Sequence, residues 1–138
     1  MNAYDDLKWR GIIQEISSTE LIEKLNKGGL TFYIGTDPTA DSLHLGHYSS
    51  FLITKRLAQY GHKPIILVGM ATALIGDPRG TEERDLSDFV EVKENFNKLK
   101  TQIQKVFPYP VVNNYEWIKN INIIDIAIAC RIIFIYEK

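Results

Sequence analysis

The chain has 138 residues, 45% of them hydrophobic, with sixteen Lys/Arg against seventeen Asp/Glu and a formal net charge of −1. A chain of this length can bury roughly two-thirds of the surface its unfolded form exposes, which is the profile of one globular domain that needs no disulfide or structural zinc. The charge balance excludes a polycationic nucleic-acid binder and restricts any RNA contact to a local patch, and the single cysteine, Cys130, excludes an internal disulfide.

The start, Met1-Asn2-Ala3-Tyr4-Asp5-Asp6, has neither the basic nor the apolar region of a targeting signal. No uncharged apolar run approaches the roughly 18 residues of a membrane span, so a cytoplasmic location and no membrane contact are expected. Ser17-Ser18-Thr19-Glu20 has the form of a capping box; Leu21, Ile22 and Leu25 follow at helical spacing, and Gly28-Gly29 supplies an exit. The spacing predicts a short helix ending near Lys27. Leu30-Thr31-Phe32-Tyr33-Ile34-Gly35, rich in β-branched and aromatic residues, predicts a buried strand, broken by Thr36 to Ser42. From Gly46 to about Tyr60 there is no proline, Tyr48, Phe51, Leu52 and Leu57 gather on one side, and Gly61 stops the run, which predicts a second helix. Lys63-Pro64-Ile65-Ile66-Leu67-Val68-Gly69 has the continuous apolar character of a strand covered on both faces. Strand, helix and strand in under forty residues suggest a right-handed parallel crossover unit.

Between Asp77 and Lys100 stand seven acidic and five basic residues, while Phe89, Val92, Phe96, Leu99, Ile103 and Val106 step by three and four. A long amphipathic helix with a solvated charged face is expected, ended by Pro108 and Pro110. Tyr109 to Asn114 reads as a third short strand with a polar exit. Ile121 to Tyr136 carries eight isoleucines in sixteen positions and only two charged residues, and periodicity leaves helix and strand open there.

The chemistry concentrates after the first strand, where His44 and His47 stand three apart at the mouth of a helix. Such a mouth offers unpaired backbone N–H groups and the positive end of a dipole, both suited to phosphate, and Gly46 allows close approach to the backbone. The segment is neither a Walker A loop nor a dinucleotide fingerprint, whose glycines and lysine it lacks. Two histidines at this spacing can also share an ion, but neither Asp41 nor His62 supplies a third ligand at a usual spacing, and no metal site is expected.

His44-Leu45-Gly46-His47, preceded by Asp37-Pro38-Thr39-Ala40-Asp41-Ser42-Leu43, resembles the signature of class I aminoacyl-tRNA synthetases. Joined to Tyr33-x-Gly35 upstream, and to Gly61-His62-Lys63-Pro64-Ile65, Leu67-Val68-Gly69 and Ile75-Gly76-Asp77-Pro78 downstream, it is similar to the bacterial-type tyrosyl enzymes. The tryptophanyl signature characteristically ends in Asn where His47 stands. The resemblance runs from about Leu7 to Trp117 and implies an α/β, Rossmann-like nucleotide-binding fold, present in part: residues 1–125 as the N-terminal half of a catalytic domain, and 126–138 as a divergent apolar tail.

What the resemblance implies for function is a tyrosine–tRNA ligase. The tyrosine carboxylate attacks the α-phosphate of ATP, supplied with Mg2+, and the adenylate then acylates a tRNA 3′ end, with no tightly bound cofactor. Thr39 and His44 would meet the leaving pyrophosphate, His47 and Gly46 the ribose and adenine end, and Asp37 the α-phosphate side through its backbone. Tyr33, with Gly35 nearby, would read the phenol of tyrosine, a hydroxyl-reading arrangement that rejects phenylalanine, and Asp77 would pair with the ammonium. Arg79-Gly80-Thr81-Glu82-Glu83-Arg84 occupies the place of a mobile basic loop, where Arg84 is the candidate ATP contact. The family is typically homodimeric, with tyrosine, ATP and tRNA(Tyr) as partners.

Taken singly, these residues have plainer readings. Tyr33 is core, Asp37 and Asp77 are turn residues, His62 lies on the surface, and Arg79 and Arg84 are solvated ion pairs. Joint occurrence in one order favours the functional reading. From Ile126 the family pattern stops, and a truncated or frame-shifted product, possessing one uncovered sheet face, is the expectation; a non-catalytic ATP/tyrosine-binding or interaction module is the alternative function.

Overall fold

In a computed structural model of the chain, residues 1–75, 88–122 and 124–125 are described. The tail from 126 and the segment holding Asp77, Arg79 and Arg84 lie outside them, so the expectations for those residues have no structural counterpart. The elements run α1 (Ala3–Trp9), α2 (Thr19–Lys27), β1 (Thr31–Thr36), α3 (Leu45–Ala58), β2 (Lys63–Val68), α4 (Met70–Ile75), α5 (Phe89–Val106), β3 (Val111–Asn113) and α6 (Tyr115–Ile118). Among the described residues, no helix is long and apolar enough to cross a membrane.

The three strands form one parallel sheet in the order β1-β2-β3, with Tyr33 beside Ile65, Gly35 beside Leu67 and Ile66 beside Val111. This is the parallel α/β arrangement expected from the strand–helix–strand pattern. The core lies on one side of it: Ile66 and Val68 are fully buried and pack with Phe51 of α3 and with Leu99, Ile103 and Phe107 at the end of α5. A second cluster, Met70, Ala73 and Val92, joins α4 to α5. Alternation along a strand sends successive side chains to opposite faces, so Tyr33, Gly35, Ile65 and Leu67 share the other face.

That other face corrects two expectations. β1 is not a buried strand: its residues alternate between exposed and half-buried, and Tyr33 is 69% exposed. β2 buries Pro64, Ile66 and Val68, whereas Ile65 and Leu67 are only half-buried. A continuous apolar run signals two covered faces only where elements lie on both sides, and among the described residues helices cover one.

Local expectations met similar adjustments. The cap of α2 is Ser18, whose hydroxyl accepts the Leu21 N–H; the third helical position is therefore Leu21, and Glu20 cannot close a capping box. Gly28 ends that helix at φ 78°, where a Cβ would also stand 2.8 Å from the Tyr60 carbonyl oxygen. α3 buries Phe51, Thr54 and Leu57, while Tyr48 and Leu52 are exposed. His62 is buried rather than superficial: its Nδ1 accepts the Leu30 N–H at 3.3 Å and its Nε2 donates to the Leu25 carbonyl at 3.0 Å, tying the end of α2 to the entry of β1. Along α5 the buried positions are Val92, Asn95, Leu99 and Ile103; Phe89 and Val106, at the ends of the apolar stripe, are exposed.

The short helix α1 is anchored by charge. Asp6, almost fully buried, places Oδ1 2.9 Å from Arg10 Nε and Oδ2 3.3 Å from Arg56 Nε, linking α1 to α3. Burial alone would raise its pKa, but the hydrogen bond and charge of Arg10, with the charge of Arg56, hold the carboxyl below its usual value.

Candidate functional site

Parallel strands of an open α/β sheet present ligand sites beyond their carboxyl ends. Here those ends are Thr36, Val68 and Asn113, and the segment leaving Thr36 is the one that carries Asp37, Thr39, His44, Gly46 and His47. α3 begins with a cap made of two histidines. His44, in extended conformation (φ −108°, ψ 176°), turns its ring back so that Nδ1 accepts the Gly46 N–H at 3.1 Å, and the His44 N–H donates to His47 Nδ1 at 3.3 Å.

Both rings therefore use Nδ1 as an acceptor, which puts the proton of each neutral imidazole on Nε2. The centroids lie 3.9 Å apart with a tilt of 41°. His47 is held neutral by its surroundings: partial burial, and then the neighbouring His44, push its pKa below 6.5. The result is two Nε2–H donors side by side at a helix N-terminus, a donor set for phosphate oxygens.

Gly46 belongs to this construction in a way its sequence context did not disclose. A Cβ there would stand 2.9 Å from Cε1 and 3.0 Å from Nδ1 of His44, so the space left by the missing side chain holds the His44 ring. An apolar recess of about 310 Å3, lined among others by Leu43, His44, Tyr48, Phe51 and Gln102, opens beside the cap.

Asp37 stands where β1 meets this loop, and its carboxylate accepts the Thr72 hydroxyl of α4 at 2.6 Å. Thr72 also approaches the Gly69 carbonyl at 2.8 Å, and the Gly69 N–H donates to Thr36 at 2.8 Å. A Cβ at Gly69 would collide with both the Asp37 carboxylate and the Thr72 hydroxyl, so glycine is required where the ends of β1 and β2 meet. Thr39 is exposed, its N–H donating to the Asp37 carbonyl at 2.9 Å.

Tyr33 and Gly35 sit together on the open face of β1, two residues apart. The core reading of Tyr33 fails on its exposure. A Cβ at Gly35 would make only ordinary contact with Leu67 at 3.8 Å, so packing does not demand this glycine. The fold thus brings His44, Gly46 and His47 into one cap and joins Asp37 to it through the loop, with Tyr33 and Gly35 on the adjoining sheet face. No group of three or more His, Cys, Asp or Glu side chains placed to hold a metal ion occurs among the described residues.

Three side chains outside the expected set hold this region: Thr72, and on α5 Asn95 and Gln102, which bond to Pro38 and to Leu43. The one sequence signal was Asn95, an amide inside an apolar helical stripe.

The sequence profile of the family described as tRNA synthetases class I (W and Y) matches residues 25–131. Tyrosine–tRNA ligase 2 of Streptococcus thermophilus (strain CNRZ 1066) is 70% identical over 125 residues, covering 91% of this chain and 41% of the relative. The tyrosine–tRNA ligase of Listeria monocytogenes serotype 4a is 41% identical over 133 residues, covering 91% of this chain and 32% of the relative. Among solved structures, a C-terminally truncated mitochondrial tyrosyl-tRNA synthetase of Aspergillus nidulans superposes with a TM-score of 0.80 at 23% identity, covering 90% of this chain and 40% of that one, a likeness of fold. The chain thus spans about two-fifths or less of the length of these relatives. With the profile covering most of its residues, the chain belongs to the class I tRNA synthetases of the W and Y group.

Proposed function

We propose that this chain carries the ATP- and tyrosine-binding half of a tyrosine–tRNA ligase catalytic domain, over residues 1–125, followed by a divergent tail at 126–138. The carrying observation is the two-histidine cap at the start of α3, with its paired Nε2–H donors. The 70% identity to a tyrosine–tRNA ligase over 125 residues supports tyrosine over tryptophan, as does His47 at the fourth signature position.

In the proposed reaction a tyrosine carboxylate oxygen forms a bond to the α-phosphorus of magnesium-bound ATP while the bond from that phosphorus to the bridging oxygen breaks and pyrophosphate leaves. Little covalent work falls to the protein; positioning and stabilisation of charge on phosphate oxygens carry the catalysis. His44 and Thr39 face the departing pyrophosphate, His47 and Gly46 the ribose and adenine, and Asp37 the α-phosphate. Tyr33 and Gly35 meet the substrate phenol on the open sheet face, with Asp77 on its ammonium and Arg84 on ATP. Transfer to the 3′ end of tRNA(Tyr), a homodimeric assembly and a cytoplasmic location complete the reading.

Isothermal titration of the purified chain with ATP and with tyrosine tests it. Saturable binding of both is expected, with ATP affinity lost and tyrosine affinity kept in His44→Ala/His47→Ala. Equal ATP binding by the double variant, or phenylalanine bound as tightly as tyrosine, overturns it.

A further inference from the structure

The loop that leads into the histidine cap does little to hold its own shape. Between Asp37 and Leu43 one backbone–backbone hydrogen bond, Thr39 N–H to the Asp37 carbonyl, is internal to the segment. Thr72 of α4 holds Asp37 at the start of the segment, and the side chains that hold the rest of it come from α5. Asn95, Lys98 and Gln102 stand at i, i+3 and i+7, one stripe of that helix, directly beside the stripe of Val92, Leu99 and Ile103 that packs into the core. Asn95 is 6% exposed and donates from Nδ2 to the Pro38 carbonyl at 3.4 Å; Gln102 Oε1 accepts the Leu43 N–H at 2.9 Å. Lys98 pairs with Asp41 across 3.6 Å at the surface, a contact of small energy.

An amide buried beside a core stripe is costly unless it is used. Asn95 spends its donor on the carbonyl of Pro38, a residue itself fully buried, and apolar replacement would leave that carbonyl unpaired. Gln102 acts one residue before the cap. With the Leu43 N–H held, the chain enters His44 in the extended conformation that lets its ring reach back to Gly46. The helix face that forms the core therefore also dictates the path of residues 38–43.

We infer that Asn95 and Gln102 are positioning residues for the phosphate end of the site: through Pro38 and Leu43 they set where Thr39 and His44 stand, without touching substrate. The inference rests on the reading of the histidine cap as the ATP site. It predicts a loss confined to the nucleotide, because Tyr33 and Gly35 lie on β1, ahead of the loop.

The test compares wild type with Gln102→Leu, Gln102→Glu and Asn95→Leu in the 138-residue chain. ATP and tyrosine are titrated, and amide hydrogen exchange is read at Leu43. Gln102→Leu should speed Leu43 exchange about tenfold and weaken ATP binding about tenfold, the loss of roughly one hydrogen bond, while tyrosine affinity stays within about twofold. Gln102→Glu, which keeps an acceptor oxygen, should restore both. Asn95→Leu should likewise weaken ATP alone; if it fails to fold, the half-buried Gln102 pair decides. Unchanged Leu43 exchange in Gln102→Leu, parallel loss of ATP and tyrosine binding, or failure of Gln102→Glu to rescue overturns the inference. The two failures are separable: a wild-type chain that binds no ATP sinks the site reading, whereas a wild type that binds it and a Gln102→Leu that binds it equally well sink the positioning.

Discussion

The two faces of the sheet are built from similar residues and put to different uses. On one, Ile66 and Val68 are sealed under Phe51, Leu99 and Ile103; on the other, one residue along the same strands, Ile65 and Leu67 are half-buried beside an exposed Tyr33. The covered face supplies stability. The open face and the strand ends carry the candidate ligand contacts, as expected of a parallel sheet whose sites lie beyond the carboxyl ends of its strands. Substitutions on the two faces should therefore separate folding from binding.

The largest effect is expected from the covered face. Leu99→Ala removes a fully buried side chain at the junction of α5 and the sheet and should cost about 2–5 kcal/mol, read as a shift in the urea midpoint. An effect below about 1 kcal/mol would mean that this face is not the stabilising one. Gly69→Ala, where the strand ends meet the loop, should cost about 1–3 kcal/mol by overpacking against Asp37 and Thr72, and should also weaken ATP binding. Tyr33→Phe should leave stability within about 0.5 kcal/mol, because the hydroxyl is solvent-facing, yet lower tyrosine affinity about tenfold by titration. A Tyr33→Phe variant that loses stability and retains affinity would reverse the assignment of faces.

How much of this was legible follows the same division. The strand–helix–strand unit, the helix over 89–106 and the histidine mouth are local patterns of period and punctuation, and a single sequence displays them. Coverage is not local. Leu30 to Gly35 has the composition of a buried strand, and Tyr33 is exposed because, among the described residues, no helix covers its face of the sheet. His62 looked superficial after Gly61 because its two partners, Leu25 and Leu30, lie 37 and 32 residues away. Gln102 carries no sequence signal as a site residue, and Asn95 only that of an amide in an apolar helical run, for a similar reason: they reach loop residues 59 and 57 positions distant. The sequence presents Gly46 as room for ligand approach, and the structure adds a second demand on the same position, since the His44 ring packs where a Cβ would stand. α1 and α4, of seven and six residues, are too short for a hydrophobic period to declare itself.

The smallest effect concerns the cap itself, where the proposed phosphate donors and the helix start share the same two rings. His47 has a pKa below 6.5 in the folded chain, because partial burial and then His44 disfavour its charged form. The unfolded chain therefore takes up this proton first as pH falls. The contribution is complete above about pH 6.5, declines as pH drops below that value, and is gone once the folded-state pKa is passed. Protonation at Nδ1 also removes the acceptor of the His44 N–H, so the reciprocal cap opens in the same range. Thermal melts of wild type and His47→Asn between pH 8 and 5 compare the chain with and without this imidazole. The wild-type melting temperature should fall more steeply below about pH 6.5 than that of the variant; parallel curves would mean that burial and His44 do not hold the His47 pKa down.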